Sequence, residues 1–388
     1  LKLAYVVPRY GRDVAGGAES AVRMLAERLV ASQGWTVEVL TTCARDGRTW
    51  ADELPPGTSV ENGVVVHRFA SLAGRAPGFD RAARPVMQGG ALSRLDEERL
   101  VEMQGPVSPE LVDAAASGQA DLVAFSPYLY HPIVQGVRRL RRRAVLHPAA
   151  HDEPFLRLGA YDDVFAWAGA LVFYTHGERA LVTRRFGVGA TPQVVLGLGV
   201  DDPPAVTAPL VVDAPYVLCV GRVDDSKGTT LLARAFAAYK ARRPGPLKLV
   251  FVGHVVDRPP AHPDVVVAGP VSEEQKWGAY AGALALVQPS PYESFSLVLI
   301  EGWRAGLPAL VNAGCRATRE HVARSGGGLW FGSYAEFETA LDRLAGDEGL
   351  RAALGERGRA YAQSRFAWPV LLERYAGFLA SVADRTGR

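Results

Sequence analysis

The sequence predicts an α/β protein built on two doubly wound parallel sheets. Three observations carry that expectation. Short β-branched runs alternate with helical patterns almost throughout, as stacked βαβ units require. The alternation breaks at residues 198–214, a stretch rich in proline and small residues that suits an interdomain linker. The chain's 388 residues, 48% of them hydrophobic, suffice for two cores at about 150 residues per domain.

The elements follow in order. A strand is expected at 3–7, then a helix in which Val22, Leu25 and Leu29 recur on one face. Further strands are expected at 37–41, 64–68, 121–125, 144–147, 170–173 and 193–196. Past the linker the pattern restarts with Tyr216-Val217-Leu218-Cys219-Val220, and strands follow at 248–252, 264–267, 285–287 and 309–311. The last sixty residues read as helical, with Trp368-Pro369 marking a start or kink before a final amphipathic helix. The expected division is 1–200, 201–365, and a terminal helix at 366–388 that packs back toward the N-terminal domain. Residues 42–60 and 70–108 carry many Gly, Pro and Arg with little periodicity. Loops of that length are usually functional or mobile, so they are read as recognition loops for a variable substrate.

Composition narrows the function. Disorder, collagen-like repeats and coiled coil do not fit 22% charged residues in an ordinary apolar background. With 43 basic against 41 acidic residues, there is no electrostatic case for a nucleic-acid binder. Cys43, Cys219 and Cys315 are far apart and form neither a disulfide framework nor a zinc spacing, which leads us to expect a reducing, cytoplasmic compartment. No apolar run approaches the ~20 residues of a membrane-spanning helix. Only five of the basic residues are lysines, so a lysine at a motif position is informative.

Three segments carry chemistry. Gly11-Arg12-Asp13-Val14-Ala15-Gly16-Gly17-Ala18-Glu19-Ser20 joins the first strand to the first helix, where glycines permit close backbone approach and a helix N-terminus offers N–H groups to an anion. It lacks the spacing of the dinucleotide fingerprint, and a ligand-free turn remains an equal reading. Gly221-Arg222-Val223-Asp224-Asp225-Ser226-Lys227-Gly228 follows a strand, and Arg222 and Lys227 can converge on a diphosphate. The alternative is a solvated turn with a surface Asp225–Lys227 pair. The third and most specific segment runs from Pro289 to Gly302. Its strand ends in a turn where Ser294 or Ser296 can cap the next helix, while Glu293 and Glu301 bracket an apolar run. Glu301 suits a bidentate bond to vicinal hydroxyls such as those of a ribose, and Glu293 suits another polyol. An exposed Glu301 with a dipole-favouring Glu293 is the plainer reading.

These residues resemble retaining glycosyltransferases of the GT-B fold, in the large family-four group (glycosyl transferases group 1) that includes sucrose-phosphate synthases and bacterial mannosyl- and glucosyltransferases. The match rests on Gly16-Gly17 with Glu19, on Gly221-Arg222 with Lys227-Gly228, and on the Glu293/Glu301 pair. Gly306-x-Pro308, Glu320 and Arg365-Phe366-x-Trp368 add to it. The resemblance implies two Rossmann-like domains facing each other across a cleft, the first on the acceptor side and the second holding a nucleotide-sugar donor. It implies that Arg222 and Lys227 hold the diphosphate and that the backbone of Phe295, Ser296 and Leu297 cradles the phosphates. Glu301 would bind the ribose, Glu293 would contact the transferred sugar, and Gly16-Gly17 would close over the phosphate. The group usually has glycine where Ser296 stands, and alanine and methionine where Gly302 and Trp303 stand. A histidine followed by an acidic residue touches the sugar near the reacting carbon in this group. His151 with Asp152 is the better match, His147 is the alternative, and His131, Tyr128 and Tyr130 are candidates for the same cleft.

The implied activity is retaining transfer of a hexose from a nucleotide-diphosphate sugar to a hydroxyl of a saccharide, lipid-linked or small-molecule acceptor. His151, Glu293, Arg222 and Lys227 are the expected catalytic residues. No metal and no cofactor besides the donor are expected, and UDP is favoured over GDP because it is commoner among relatives. A nucleotide-sugar epimerase and a non-catalytic sugar-nucleotide-binding subunit are the rival readings. The cluster Arg138-Arg139-Leu140-Arg141-Arg142-Arg143 has two readings, weak peripheral contact with anionic lipid or a solvated helix C-terminus.

Overall fold

The structure, a computed structural model, describes residues 1–14, 16–205, 207–210 and 212–386, so Ala15 of the glycine segment lies outside it. The chain divides into two compact units, Leu1–Gly197 with Leu371–Arg388, and Leu198–Val370.

Among the described residues the first unit is built on an eight-stranded sheet. Its strands are β1 (Lys2–Val6), β2 (Thr36–Thr42), β3 (Gly57–Glu61), β4 (Val64–Phe69), β5 (Leu122–Phe125), β6 (Ala144–Leu146), β7 (Ala170–Phe173) and β8 (Gln193–Val195). They lie in the order β3-β4-β2-β1-β5-β6-β7-β8, parallel except for the β3–β4 pair. β5, β6 and β7 are buried along their whole lengths, as a parallel sheet covered on both faces requires. The helices are α1 (Gly17–Gln33), α2 (Phe79–Met87), α3 (Arg94–Gln104), α4 (Pro109–Ser117), α5 (His131–Leu140), α6 (Asp162–Trp167) and α7 (His176–Phe186). On α1 the expected face, Val22, Leu25 and Leu29, is buried.

The two stretches read as loops are more ordered than expected. Residues 57–61 form β3, an exposed edge strand whose weak apolar alternation leaves little period-2 signal. The stretch 70–108 holds α2 and α3. α2 buries Phe79, Ala83 and Val86, one narrow stripe interrupted in sequence by Pro85, and α3 starts where the Ser93 side chain accepts the Asp96 N–H. The arginine cluster is largely spent inside this unit. Arg138 donates to Glu98 and sits 3.1 Å from Asp163, Arg143 donates to the Ala120 carbonyl, Arg139 pairs with Asp113, and Arg141 lies over the Trp167 ring.

The second unit carries a six-stranded parallel sheet among the described residues. Its strands are β9 (Tyr216–Val220), β10 (Lys248–Val252), β11 (Val265–Gly269), β12 (Ala285–Gln288), β13 (Ala309–Asn312) and β14 (Gly328–Phe331). The order is β11-β10-β9-β12-β13-β14, so the direction of winding reverses between β9 and β12. β14 was not expected. It is an edge strand with Trp330 exposed, and two preceding glycines obscure it in the sequence. The helices are α8 (Thr229–Arg242), α9 (Glu273–Gly282), α10 (Leu297–Arg304), α11 (Arg316–Ser325), α12 (Tyr334–Gly346), α13 (Glu348–Phe366) and α14 (Trp368–Thr386). Val217, Phe251, Val287 and Leu310 from the sheet pack with Phe236, Leu341 and Leu344 in its core. No helix among the described residues is long and apolar enough to cross a membrane.

From Leu371 onward α14 belongs to the first unit. Its Tyr375 is fully buried, accepts a hydrogen bond from the Tyr5 hydroxyl at 3.0 Å, and places its own hydroxyl 2.8 Å from His147 Nε2. Burial pushes the His147 imidazole down to about 3, so it stays neutral. The unfolded chain takes up this proton near pH 6.5 and the native chain does not. The stability tied to His147 is therefore full above about pH 7 and is lost as pH falls from 6.5 toward 3. Urea unfolding should show stability dropping by up to about 1.4 kcal/mol per pH unit below pH 6.5. His147→Gln should be less stable at pH 7.5 and show a shallower slope between pH 6.5 and 5. An unchanged slope would place the acid sensitivity elsewhere.

Candidate active site

Where winding reverses in an open parallel sheet, the connections leaving the carboxyl ends of the two strands part and leave a crevice that ligands use. In the second unit that point lies between β9 and β12. The connection after β9 is Gly221–Gly228, and the one after β12 is Pro289–Ser296, so two of the sequence-derived segments meet there.

Asp224 shapes the first connection. It is buried, and its carboxylate accepts the Lys227 N–H at 2.9 Å, the Ser226 hydroxyl at 2.6 Å and the Arg222 guanidinium. Burial alone would raise this carboxyl, but the bonds from Ser226, Arg222 and the Lys227 backbone outweigh it and hold it below the usual carboxylate range. The turn ends at Gly228, with φ 73°, where a Cβ would stand 2.9 Å from the Pro289 carbonyl oxygen. Only glycine allows both the left-handed turn and so close an approach of the two connections.

Across that approach Lys227 Nζ donates to Glu293 Oε1 at 2.7 Å. Lys227 thus reaches Glu293, not Asp225. Its side chain is 33% exposed and that of Glu293 13%, so the pair is neither deeply buried nor a free surface pair. An ammonium has three donors and a guanidinium five, so Lys227 and Arg222 keep donors for a ligand while held by carboxylates.

The expectation that Ser296 caps α10 is corrected. Ser296 occupies the N-cap position with φ 75°, and its side chain makes no capping bond. Its buried hydroxyl instead accepts from Gln288 Nε2 at 3.1 Å. The first-turn N–H groups of α10, starting at Leu297, are therefore without a side-chain cap, the arrangement that favours an anion. A left-handed backbone costs an L-residue roughly 1–2 kcal/mol, which explains why glycine is usual here and why the Gln288 bond matters. Phe295 is buried beneath, edge-on to His321 and Phe366.

One turn into α10, Glu301 is half-buried rather than exposed. It accepts from Lys276 Nζ at 3.1 Å and from the Tyr280 hydroxyl at 2.9 Å, both on α9. Burial works against the Lys276 ammonium, but Glu301 and Glu273 outweigh it and raise its pKa. Burial and the Glu301 charge push the Tyr280 phenol well up, so it remains a donor. Neither residue was singled out from sequence. The scarcity of lysine was the available signal for Lys276. Asp224 had no comparable signal, because only the turn reveals it as the acceptor of three bonds.

Residues 208–361 match the family described as glycosyl transferases group 1. This match lies wholly within the second unit, Leu198–Val370. The chain is similar to D-inositol 3-phosphate glycosyltransferases from Xylanimonas cellulosilytica, 28% identical over 97% of this chain and 94% of that one, and from Acidothermus cellulolyticus, 27% identical over 96% and 87%. Among solved structures it shares its fold with sucrose-phosphate synthase from Thermosynechococcus elongatus at TM-score 0.70, with 21% identity and 98% of both chains covered. Anabaena HepE superposes at TM-score 0.71, with 18% identity over 98% of this chain and 99% of that one. The fold is GT-B, and the enzyme is a glycosyltransferase. The epimerase and non-catalytic readings are not favoured.

In the first unit of the transferase, the structure distinguishes the two histidines. His147 is locked to Tyr375 in the core, whereas the side chain of His151 is 33% exposed, with Nε2 3.5 Å from Glu153 Oε2. Tyr128 is buried and donates to Glu153 Oε1 at 2.9 Å, Tyr130 packs edge-on against Trp50, and His131 opens α5. Gly16 is the N-cap of α1, and a Cβ there would collide with the carboxylate of Glu19, which is held by Arg9 Nε at 3.0 Å. Gly17 faces open space.

Asp224→Ala should release Arg222 and loosen the turn that aims Lys227. Losing charge-assisted bonds of about 1.5–3 kcal/mol predicts a donor KM raised roughly tenfold or more. Asp224→Asn, which keeps some acceptor capacity, should fall between wild type and alanine. Steady-state kinetics giving wild-type KM for both variants would remove Asp224 from the site.

Proposed function

We propose that this glycosyltransferase moves a hexose from a UDP-sugar to an acceptor hydroxyl with retention of anomeric configuration and without a metal. The observation that carries the proposal is the Lys227–Glu293 bond at the β9/β12 reversal, which joins the turn bearing Arg222 to the connection that opens into the uncapped N-terminus of α10. A bond between an anomeric carbon and a diphosphate breaks only if charge developing on the leaving group is stabilised, and fixed cations with helix N–H groups can do this without reorganisation. Arg222 and Lys227 take the diphosphate, the backbone at Phe295, Ser296 and Leu297 cradles it, and Glu301 holds the ribose diol. Glu293 orients the sugar, whose anomeric carbon becomes oxocarbenium-like. The acceptor then attacks from the face the phosphate leaves. Retention, and the roles of His151 and of Gly16-Gly17, rest on the family resemblance.

Uracil is favoured because Anabaena HepE has been captured with UDP, with UDP and glucose, and with UDP-glucose. The cysteines Cys43, Cys219 and Cys315 are buried and unpaired, which supports a reducing, cytoplasmic setting.

The two glutamates should fail differently. Glu301 grips a part of the donor that does not change, so Glu301→Ala should mainly raise donor KM. Glu293 contacts the sugar that becomes cationic, so Glu293→Ala should mainly lower kcat, by ~10²-fold. Kinetics in which both variants raise KM alike, with kcat intact, would show Glu293 to be a second binding residue.

Thermal-shift measurements in excess EDTA against UDP, GDP, TDP and ADP test base and metal together. UDP at ~100 times its dissociation constant should add about 2.7 kcal/mol of stability and the others less. Donor hydrolysis in EDTA should equal that in magnesium or manganese. A large metal-dependent recovery would overturn the metal-free mechanism.

A further inference from the structure

Both carboxylate oxygens of Glu301 are held from one helix. The Ser272 and Gln275 capping box fixes the start of α9, which sets where Lys276 and Tyr280 stand. These two lie four residues apart on one face of the helix. Lys276 Nζ reaches Oε1 at 3.1 Å, and the Tyr280 hydroxyl reaches Oε2 at 2.9 Å. Tyr280 is 1% exposed, and the side chains of Lys276 and Glu301 are each 18% exposed, so none of the three is a free surface group. Lys276 also pairs with Glu273 at 2.9 Å, but that side chain is 74% exposed and adds little constraint.

An ionised carboxylate has about four acceptor sites. With one bond to α9 on each oxygen, acceptor capacity remains on both, which is what a vicinal diol needs for a two-pronged contact. A glutamate held only by its own backbone would have to lose rotamer freedom each time a ligand bound. We propose that Lys276 and Tyr280 are positioning residues that lock Glu301 in a diol-reading orientation, and so set the selectivity of this enzyme for ribose over deoxyribose nucleotides. The proposal rests on the reading of Glu301 as the ribose ligand. It goes beyond that reading by assigning the discrimination to α9.

The test is the ratio of the dissociation constants of 2′-deoxy-UDP and UDP, measured by calorimetry on the full chain. Loss of a hydrogen bond to a charged group predicts a wild-type ratio of about tenfold or more. Lys276→Met should bring the ratio below about threefold. Lys276→Arg, which keeps a cation in reach, should restore part of it. Tyr280→Phe preserves the buried ring and should lower the ratio too, so the test stands even if Lys276→Met fails to fold. Glu273→Gln, which cuts only the exposed pair, should leave the ratio unchanged. If Glu301→Gln collapses the ratio while Lys276→Met and Tyr280→Phe retain it, the positioning role is wrong and the ribose reading stands. If Glu301→Gln retains the wild-type ratio, the ribose reading itself fails and the proposal falls with it.

Discussion

The reversal of strand order beside β9 governs the second unit. Because β9 and β12 are neighbouring strands, the connections that leave them start side by side at the carboxyl end of the sheet before they part to either side. The approach is close enough that Gly228 has no room for a Cβ against Pro289. Lys227 and Glu293, sixty-six residues apart in sequence, become hydrogen-bonded neighbours as a result. The uncapped start of α10 is set by the same turn, since Ser296 both ends the second connection and opens the helix.

The charges at this site are arranged in pairs before any ligand is considered. Arg222 is held by Asp224, Lys227 by Glu293, and Lys276 by Glu301. Partly buried pairs of this kind are weak contributors to stability, because desolvation offsets much of the attraction. They do fix the direction of each cation. A diphosphate entering the site would meet donors already aimed, which is the condition under which electrostatic stabilisation of a leaving group is most effective.

Ser296 shows a local rule giving way to a site requirement. A left-handed serine is disfavoured, and a serine at an N-cap ordinarily caps. Here the hydroxyl is turned inward to Gln288, which compensates the backbone and leaves the helix N–H groups to a ligand. The first unit has a comparable use of buried polarity at Tyr5, Tyr375 and His147, where a chain of hydrogen bonds ties α14 to the sheet and satisfies three polar groups in the core.

Much of this protein was legible from the sequence, and the limits have physical causes. Parallel strands buried on both faces read as apolar runs, so β9, β10, β12 and β13 were found within a residue or two. Arg222, Lys227, Glu293 and Glu301 were singled out because charged residues interrupting strand ends and an apolar helix are anomalous in one dimension. β3 and β14, as exposed edges, and α2, with a proline inside its apolar stripe, carry too little periodicity to be read. Which residues face one another was beyond the sequence. The Lys227–Glu293 pair, the clamp of Lys276 and Tyr280 on Glu301, and the burial that separates His147 from His151 depend on which strands neighbour one another and which helix faces meet. Those are set by long-range packing, which no local pattern encodes.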